Sequence, residues 1–272
     1  MRILIYLLIL LLAPLGLISA EETPPADRFD LFLLVGQSNM AGRGKLAEGD
    51  RTPHPRVLTF SAAEQWIPAV DPLHFDKPKV VGVGLGRTFG IEVAERSPGI
   101  TVGLIPCAVG GSPIDAWTPG TYYDPTKSHP WDDAIRRAKA AMQHGTLRAI
   151  LWHQGESDSG GELAAVYQPK LDDLIHRFRK ELDVPEVPVI VGQLGQFPER
   201  PWSESRRTVD RAHRELPQRV PRTAFVPSDG LTHGGDEVHF DAASCREFGR
   251  RYAQAYLALT ADALSSEPAA AE

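Results

Sequence analysis

Apolar runs recur along the chain at intervals that leave room for a helix between them. The most uniform is LFLLV at residues 31–35, with no polar position on either side, as expected of a strand buried on both faces of a parallel sheet. A second run ends at Ile105-Pro106, and a third occupies 148–152 (RAILW). Two more, at 187–192 and 223–226, are short, apolar and partly β-branched. Helical periodicity is predicted between and after them, over 85–95, 132–143, 162–181, 203–215 and 241–260, and charged stretches such as HRFRKE at 176–181 read as solvated helix faces. This alternation predicts an α/β fold, a three-layer α/β/α sandwich around a five-stranded parallel sheet. The Pro-rich, small-polar stretch 43–80 lacks such a pattern and reads as a long loop over one side of the site.

Residues 1–20 interrupt the globular pattern: one early positive charge, a long apolar stretch and a small final residue predict a secretory signal cleaved after Ala20, so that the protein is secreted or periplasmic. An uncleaved membrane anchor is the alternative, although the stretch is near the short end for a spanning helix. After a short segment, 21–28, one domain is expected over 29–260, with a loose tail over 261–272. The net charge of −6 argues against nucleic acid as a partner, and no second segment is apolar enough to span a bilayer. The oligomeric state is not set by any of these patterns.

Candidate chemistry sits where apolar runs end. GQSN follows the first run and places Ser38 at a strand's carboxyl end, where open α/β sheets hold their ligands; capping a helix is its structural alternative. A serine nucleophile needs a histidine to take its proton and an acid to orient that histidine, and DEVHF supplies His239 with Asp236 three residues earlier. Glu156, in the polar cluster HQGESD after the third run, is a rival acid, and His233 a rival base. PCAVGGS, after the second run, offers Gly110 and Gly111, whose backbone N–H groups can approach a ligand. The nine histidines form neither HExxH nor paired Cys/His spacing, and GVGLG at 82–86 does not fit the dinucleotide fingerprint, so no metal and no organic cofactor is expected. Trp66, Trp117, Tyr122, Tyr123 and Trp131 are candidates to stack on a ligand, or to pack the core. Cys107 and Cys245 are expected near the same rim, as neighbours in a disulfide or as two separate buried thiols.

GQSNMAGRG, PCAVGGSPIDAW, WHQGESD and DEVHFDAASCREFGRRYA, in that order, resemble the signature blocks of carbohydrate esterase family 6 and the sialate O-acetylesterase domain, within the SGNH hydrolase superfamily. The likeness covers roughly residues 29–258. It implies a flavodoxin-like sheet of order 2-1-3-4-5, and an O-acetylesterase acting on acetylated xylan or acetylated sialic acid. It implies Ser38 as nucleophile, His239 as base and Asp236 as its partner, with Glu156 the alternative acid. The oxyanion donors would be the N–H of Ser38, the N–H of Gly111 or Gly110, and the side-chain amide of Gln154. Gln37, Asn39 and Trp117 are expected to contact substrate. GQSN replaces the GDS of the wider superfamily and Gln154 an asparagine, both as in the esterase branch. A non-catalytic glycan-binding protein on the same fold is the rival reading.

Overall fold

Strand β1 (Phe29–Gly36) runs through the centre of the molecule, and its side chains alternate between two separate cores. Leu31, Leu33 and Val35 join one core with α3 (Pro130–Ala141), α5 (Tyr167–Glu181) and α6 (Glu204–Arg214). Phe32 and Leu34 join the other, with α2 (Gly86–Arg96) and α8 (Ala242–Ser266). This computed structural model describes residues 23–266; the expected signal at 1–20 and the last part of the expected tail, 267–272, lie outside them.

The sheet has seven strands: β2 (Val57–Phe60), β3 (Trp66–Pro68), β4 (Thr101–Pro106), β5 (Thr146–His153), β6 (Val189–Gly192) and β7 (Thr223–Val226) accompany β1. Their order is β3-β2-β4-β1-β5-β6-β7, and every pairing is parallel except β2 with β3. The expected five-stranded, all-parallel sheet of order 2-1-3-4-5 is therefore corrected to a mixed seven-stranded one, in which the five expected strands are neighbours as β4-β1-β5-β6-β7 and β2 and β3 extend the β4 edge. The additional strands lie inside the stretch read as a loop. Short runs flanked by Pro53, Pro55 and Pro68 hide a strand pattern, and proline is tolerated where β3 forms the sheet edge.

The helix expected over 162–181 is two, α4 (Gly161–Ala165) and α5. Pro169 explains the break: within one continuous helix its ring would meet the Ala165 carbonyl, whereas in the first turn of α5 it sacrifices no bond. Two short helices complete the set, α1 (Ser38–Ala41) and α7 (Leu216–Arg219). Cys107 and Cys245 are both free and buried, in different cores on opposite faces of the sheet, so of the two arrangements expected it is the pair of separate buried thiols that is found, not neighbours in a disulfide. No described helix is long and apolar enough to cross a membrane.

Candidate active site

The chain leaves β1 through Gly36, whose φ of 126° and close approach to β5 leave no room for a side chain: a Cβ there would sit 2.1 Å from the His153 carbonyl oxygen. The Gln37 N–H donates to that same carbonyl at 2.8 Å, and Ser38 begins α1. Behind α1, the GVGLG segment packs closely, with the Val83 N–H donating to the Gly44 carbonyl at 2.8 Å and the Gly82 N–H to that of Gly42 at 3.1 Å. The histidine arrives from the other end of the chain, after β7. In its loop, Asp236 Oδ1 accepts the N–H groups of Val238 (2.9 Å) and His239 (2.8 Å). Asp236 Oδ2 lies 2.5 Å from His239 Nδ1, and His239 Nε2 lies 2.9 Å from Ser38 Oγ. Burial works to raise the Asp236 pKa, but the two N–H groups and the imidazole outweigh it and hold the carboxyl down to about 2. A carboxylate on Nδ1 keeps the proton there and leaves Nε2 as an acceptor for the serine hydroxyl. Such a set can activate an alcohol for attack on a carbonyl.

Glu156, the rival acid, is elsewhere engaged: its Oε1 accepts from Asn39 Nδ2 at 2.6 Å and lies 3.5 Å from His153 Nε2. Burial tends to raise its pKa, yet His153, the Asn39 amide and the Arg206 charge together bring it to about 2. The rival base is engaged too. His233 Nδ1 accepts the N–H groups of Gly235 (3.0 Å) and Glu237 (3.1 Å), bracing the loop that carries Asp236.

Several expected contacts are corrected. Gln154 is fully buried; its Nε2 donates to Asp158 Oδ2 (2.5 Å) and the Ser112 carbonyl (3.1 Å), and its Oε1 accepts from Tyr167 (2.9 Å). Both amide hydrogens are taken, so none remains for an oxyanion. The Gly110 N–H is likewise taken, by Asp76 Oδ2 at 2.8 Å. Among the described residues, the N–H groups of Ser38 and Gly111 donate to no protein acceptor, and these two remain available. Trp117 is fully buried, donating to Ser112 Oγ at 3.0 Å and packing edge-on against Trp152. Asn39 is buried and its amide binds Glu156, the Val238 carbonyl and the Phe240 N–H, leaving nothing for substrate. Gln37, by contrast, is not corrected: it is buried with its Oε1 3.4 Å from the Ser157 N–H, but its Nε2 donates to no described residue and is left for the expected contact. Of the aromatic candidates, Trp131 is core, Trp66 packs on Phe29 and Phe60, and Tyr122 is exposed.

A family model described as carbohydrate esterase, sialic acid-specific acetylesterase, matches residues 28–258. The chain belongs to this family. A probable carbohydrate esterase of Arabidopsis thaliana is 30% identical over 258 residues, covering 87% of this chain and 94% of the relative. A probable 9-O-acetyl-N-acetylneuraminic acid deacetylase of Escherichia coli K12 is 22% identical over 220 residues, covering 65% of this chain and 66% of the relative. A crystal structure of an Arabidopsis thaliana protein superposes with a TM-score of 0.75 at 31% identity, covering 86% of this chain and 99% of the other. The members so named are carboxylic ester hydrolases.

In this acetylesterase-family chain, sequence patterns missed the groups that shape the glycine loop. Asp76 is the first: besides the Gly110 N–H, its Oδ2 accepts from Arg43 Nη2 at 2.9 Å, joining the end of the GQSNMAGRG block to the glycine loop. Lys77, also missed, and Tyr123, one of the aromatic candidates named from the sequence, flank Gly111, with Lys77 Nζ 3.8 Å and Tyr123 Oη 3.3 Å from where a Cβ on that glycine would lie. Asp76 and Lys77 come from the proline-rich stretch and belong to none of the four blocks. The Arg next to Gly42 in the first block was the only available signal. Among the described residues, no group of three or more His, Cys, Asp or Glu is placed to hold a metal ion.

Proposed function

We propose that the protein is an exported serine esterase that removes O-acetyl groups from carbohydrates through an acetyl-serine intermediate. The observation that carries this reading is the unbroken hydrogen-bond path from Asp236 through His239 to Ser38, closed between residues 201 positions apart. Ser38 Oγ attacks the acetyl carbonyl as His239 Nε2 takes its proton. The carbonyl oxygen becomes negative facing the N–H groups of Ser38 and Gly111, each such donor contributing about 3 kcal/mol to the transition state. His239 then returns the proton to the departing sugar oxygen. Water, deprotonated by the same nitrogen, hydrolyses the acetyl-enzyme to acetate and free serine.

An acetylated sugar is the substrate class supported by the family description and by the name of the Escherichia coli relative, and the name of the Arabidopsis relative supports a carbohydrate ester. A binding protein without catalysis has no use for a hydroxyl, imidazole and carboxylate in line beside two unpaired N–H groups, which disfavours the rival reading. Acetate release from acetylated xylan, compared with release from acetylated sialic acid, tests the proposal. Release from either supports it; release from neither, with measurable glycan binding, transfers the case to the binding protein. Export rests on the residues 1–20 pattern, and a mature amino terminus at Glu21 is the expected result of sequencing the protein from the medium or periplasm. An intact Met1 in the membrane fraction would refute it.

A further inference from the structure

Asp236 fixes the ring of His239, but both residues ride on the same loop and would move together away from Ser38. What ties that loop to α1 is Asn39, the residue after the serine. Its Nδ2 donates to the Val238 carbonyl at 3.1 Å and its Oδ1 accepts the Phe240 N–H at 3.1 Å, so one amide grips the peptide groups on both sides of His239. The remaining Nδ2 hydrogen donates to Glu156 Oε1 at 2.6 Å, a short charge-assisted bond that allows the amide a single orientation. A flipped amide would point its oxygen at the Glu156 carboxylate and its hydrogens at the Phe240 N–H, losing all three contacts. Beneath this, the His153 ring packs against Phe240 and Phe248, so the base of the clamp is itself set in the core.

We propose that Asn39 and Glu156 form a positioning pair, in which the Glu156 carboxylate orients the Asn39 amide and that amide holds His239 at hydrogen-bonding distance from Ser38. The inference rests on the serine esterase reading, and it gives both residues a role other than triad acid or substrate contact. Neither touches the reacting atoms.

The test is a set of variants, Asn39→Ala, Glu156→Ala, Glu156→Gln and the double alanine, assayed for kcat and KM on a nitrophenyl acetate, for thermal melting, and for amide hydrogen exchange at Phe240. Asn39→Ala is expected to lower kcat by about 30-fold or more with KM within about threefold, placing the loss in transition-state geometry and not in binding. Glu156→Gln keeps an oxygen for the Asn39 amide and should recover most of what Glu156→Ala loses. The double alanine should be no slower than the worse single variant, since the two act on one clamp. Phe240 exchange should accelerate in Asn39→Ala at temperatures far below its melting point. Asn39→Asp, which keeps the shape but sets a carboxylate against Glu156, replaces Asn39→Ala should the alanine variant not fold. A kcat within threefold of wild type in Asn39→Ala, unchanged Phe240 exchange, or a Glu156→Gln variant as slow as Glu156→Ala would overturn the pair. Exchange at Phe240 requires no turnover, so it reads the clamp even if the esterase reading fails.

Discussion

The two nitrogens of His239 face different partners, Asp236 at Nδ1 and Ser38 at Nε2, and each environment follows from a few neighbouring groups. Those three residues were legible because a serine after a buried strand and an acid three residues before a histidine are unusual combinations with one shared chemical use. The surrounding amides were not legible. Residue type marks Gln154 and Asn39 as possible donors, but only packing reveals that Asp158, Ser112, Glu156 and Val238 already accept their hydrogens. Replacing Gln154 by alanine should consequently act on stability, lowering it by about 2–4 kcal/mol because Asp158 and Tyr167 lose buried partners. Its kcat/KM, corrected for folded fraction, should fall less than about tenfold; a drop of 100-fold or more would restore Gln154 as an oxyanion donor. Glu156 carries a pH signature of its own. Its pKa of about 2 in the fold lies below its ordinary 4.5, so its contribution to stability is complete above 4.5 and disappears as pH falls toward 2. Melting temperature should therefore decline more steeply over that window in the wild type than in Glu156→Gln, and equal slopes would contradict the assignment.

Elements with a strong period were readable and those without one were not. Continuous apolar runs marked β1 and β5, and helical periodicity marked α2, α3, α6 and the start of α8 closely, whereas α8 continues to Ser266 through the first part of the stretch expected to be a loose tail. By contrast β2 and β3 are four and three residues long among prolines, too short to establish alternation, and their pairing becomes visible only when Thr59 lines up with Ile67 and with Leu104. Strand ends matter more for the site than strand lengths. Gly36 turns β1 into α1 at a point where His153 leaves no space, so Gly36→Ala should destabilise the protein by about 3 kcal/mol or more, through positive φ and a backbone clash together. Chemical denaturation reads this directly, and a loss below about 1 kcal/mol would mean that the β1–β5 junction can relax without disturbing Ser38.

For the molecule as a whole, the parallel strands of the mixed sheet bring the carboxyl ends of β1, β4, β5 and β7 along one rim, which is how four distant sequence blocks come to share a site. The two cores on its faces also determine which polar groups are stranded. Asp71 is buried with Oδ1 unpartnered, and burial raises its pKa to about 7, against the pull of nearby Arg87. Here the sign is opposite to that of Glu156: the folded state holds a proton that the unfolded chain releases near 3.8, so stability falls as pH rises from about 4 to 7. Asp71→Asn should melt higher than the wild type at pH 7, and the two should converge below pH 4; a lower melting point at pH 7 would reject the cause. The central claim is that Ser38 carries the acetyl group during turnover. Acid quenching of the enzyme during steady-state hydrolysis of an acetyl ester, followed by peptide mass analysis, is predicted to find one acetyl group on the peptide containing Ser38 and none in Ser38→Ala, whose turnover drops below about a hundredth. Sustained turnover by Ser38→Ala, or an acetyl group on a different residue, would contradict it.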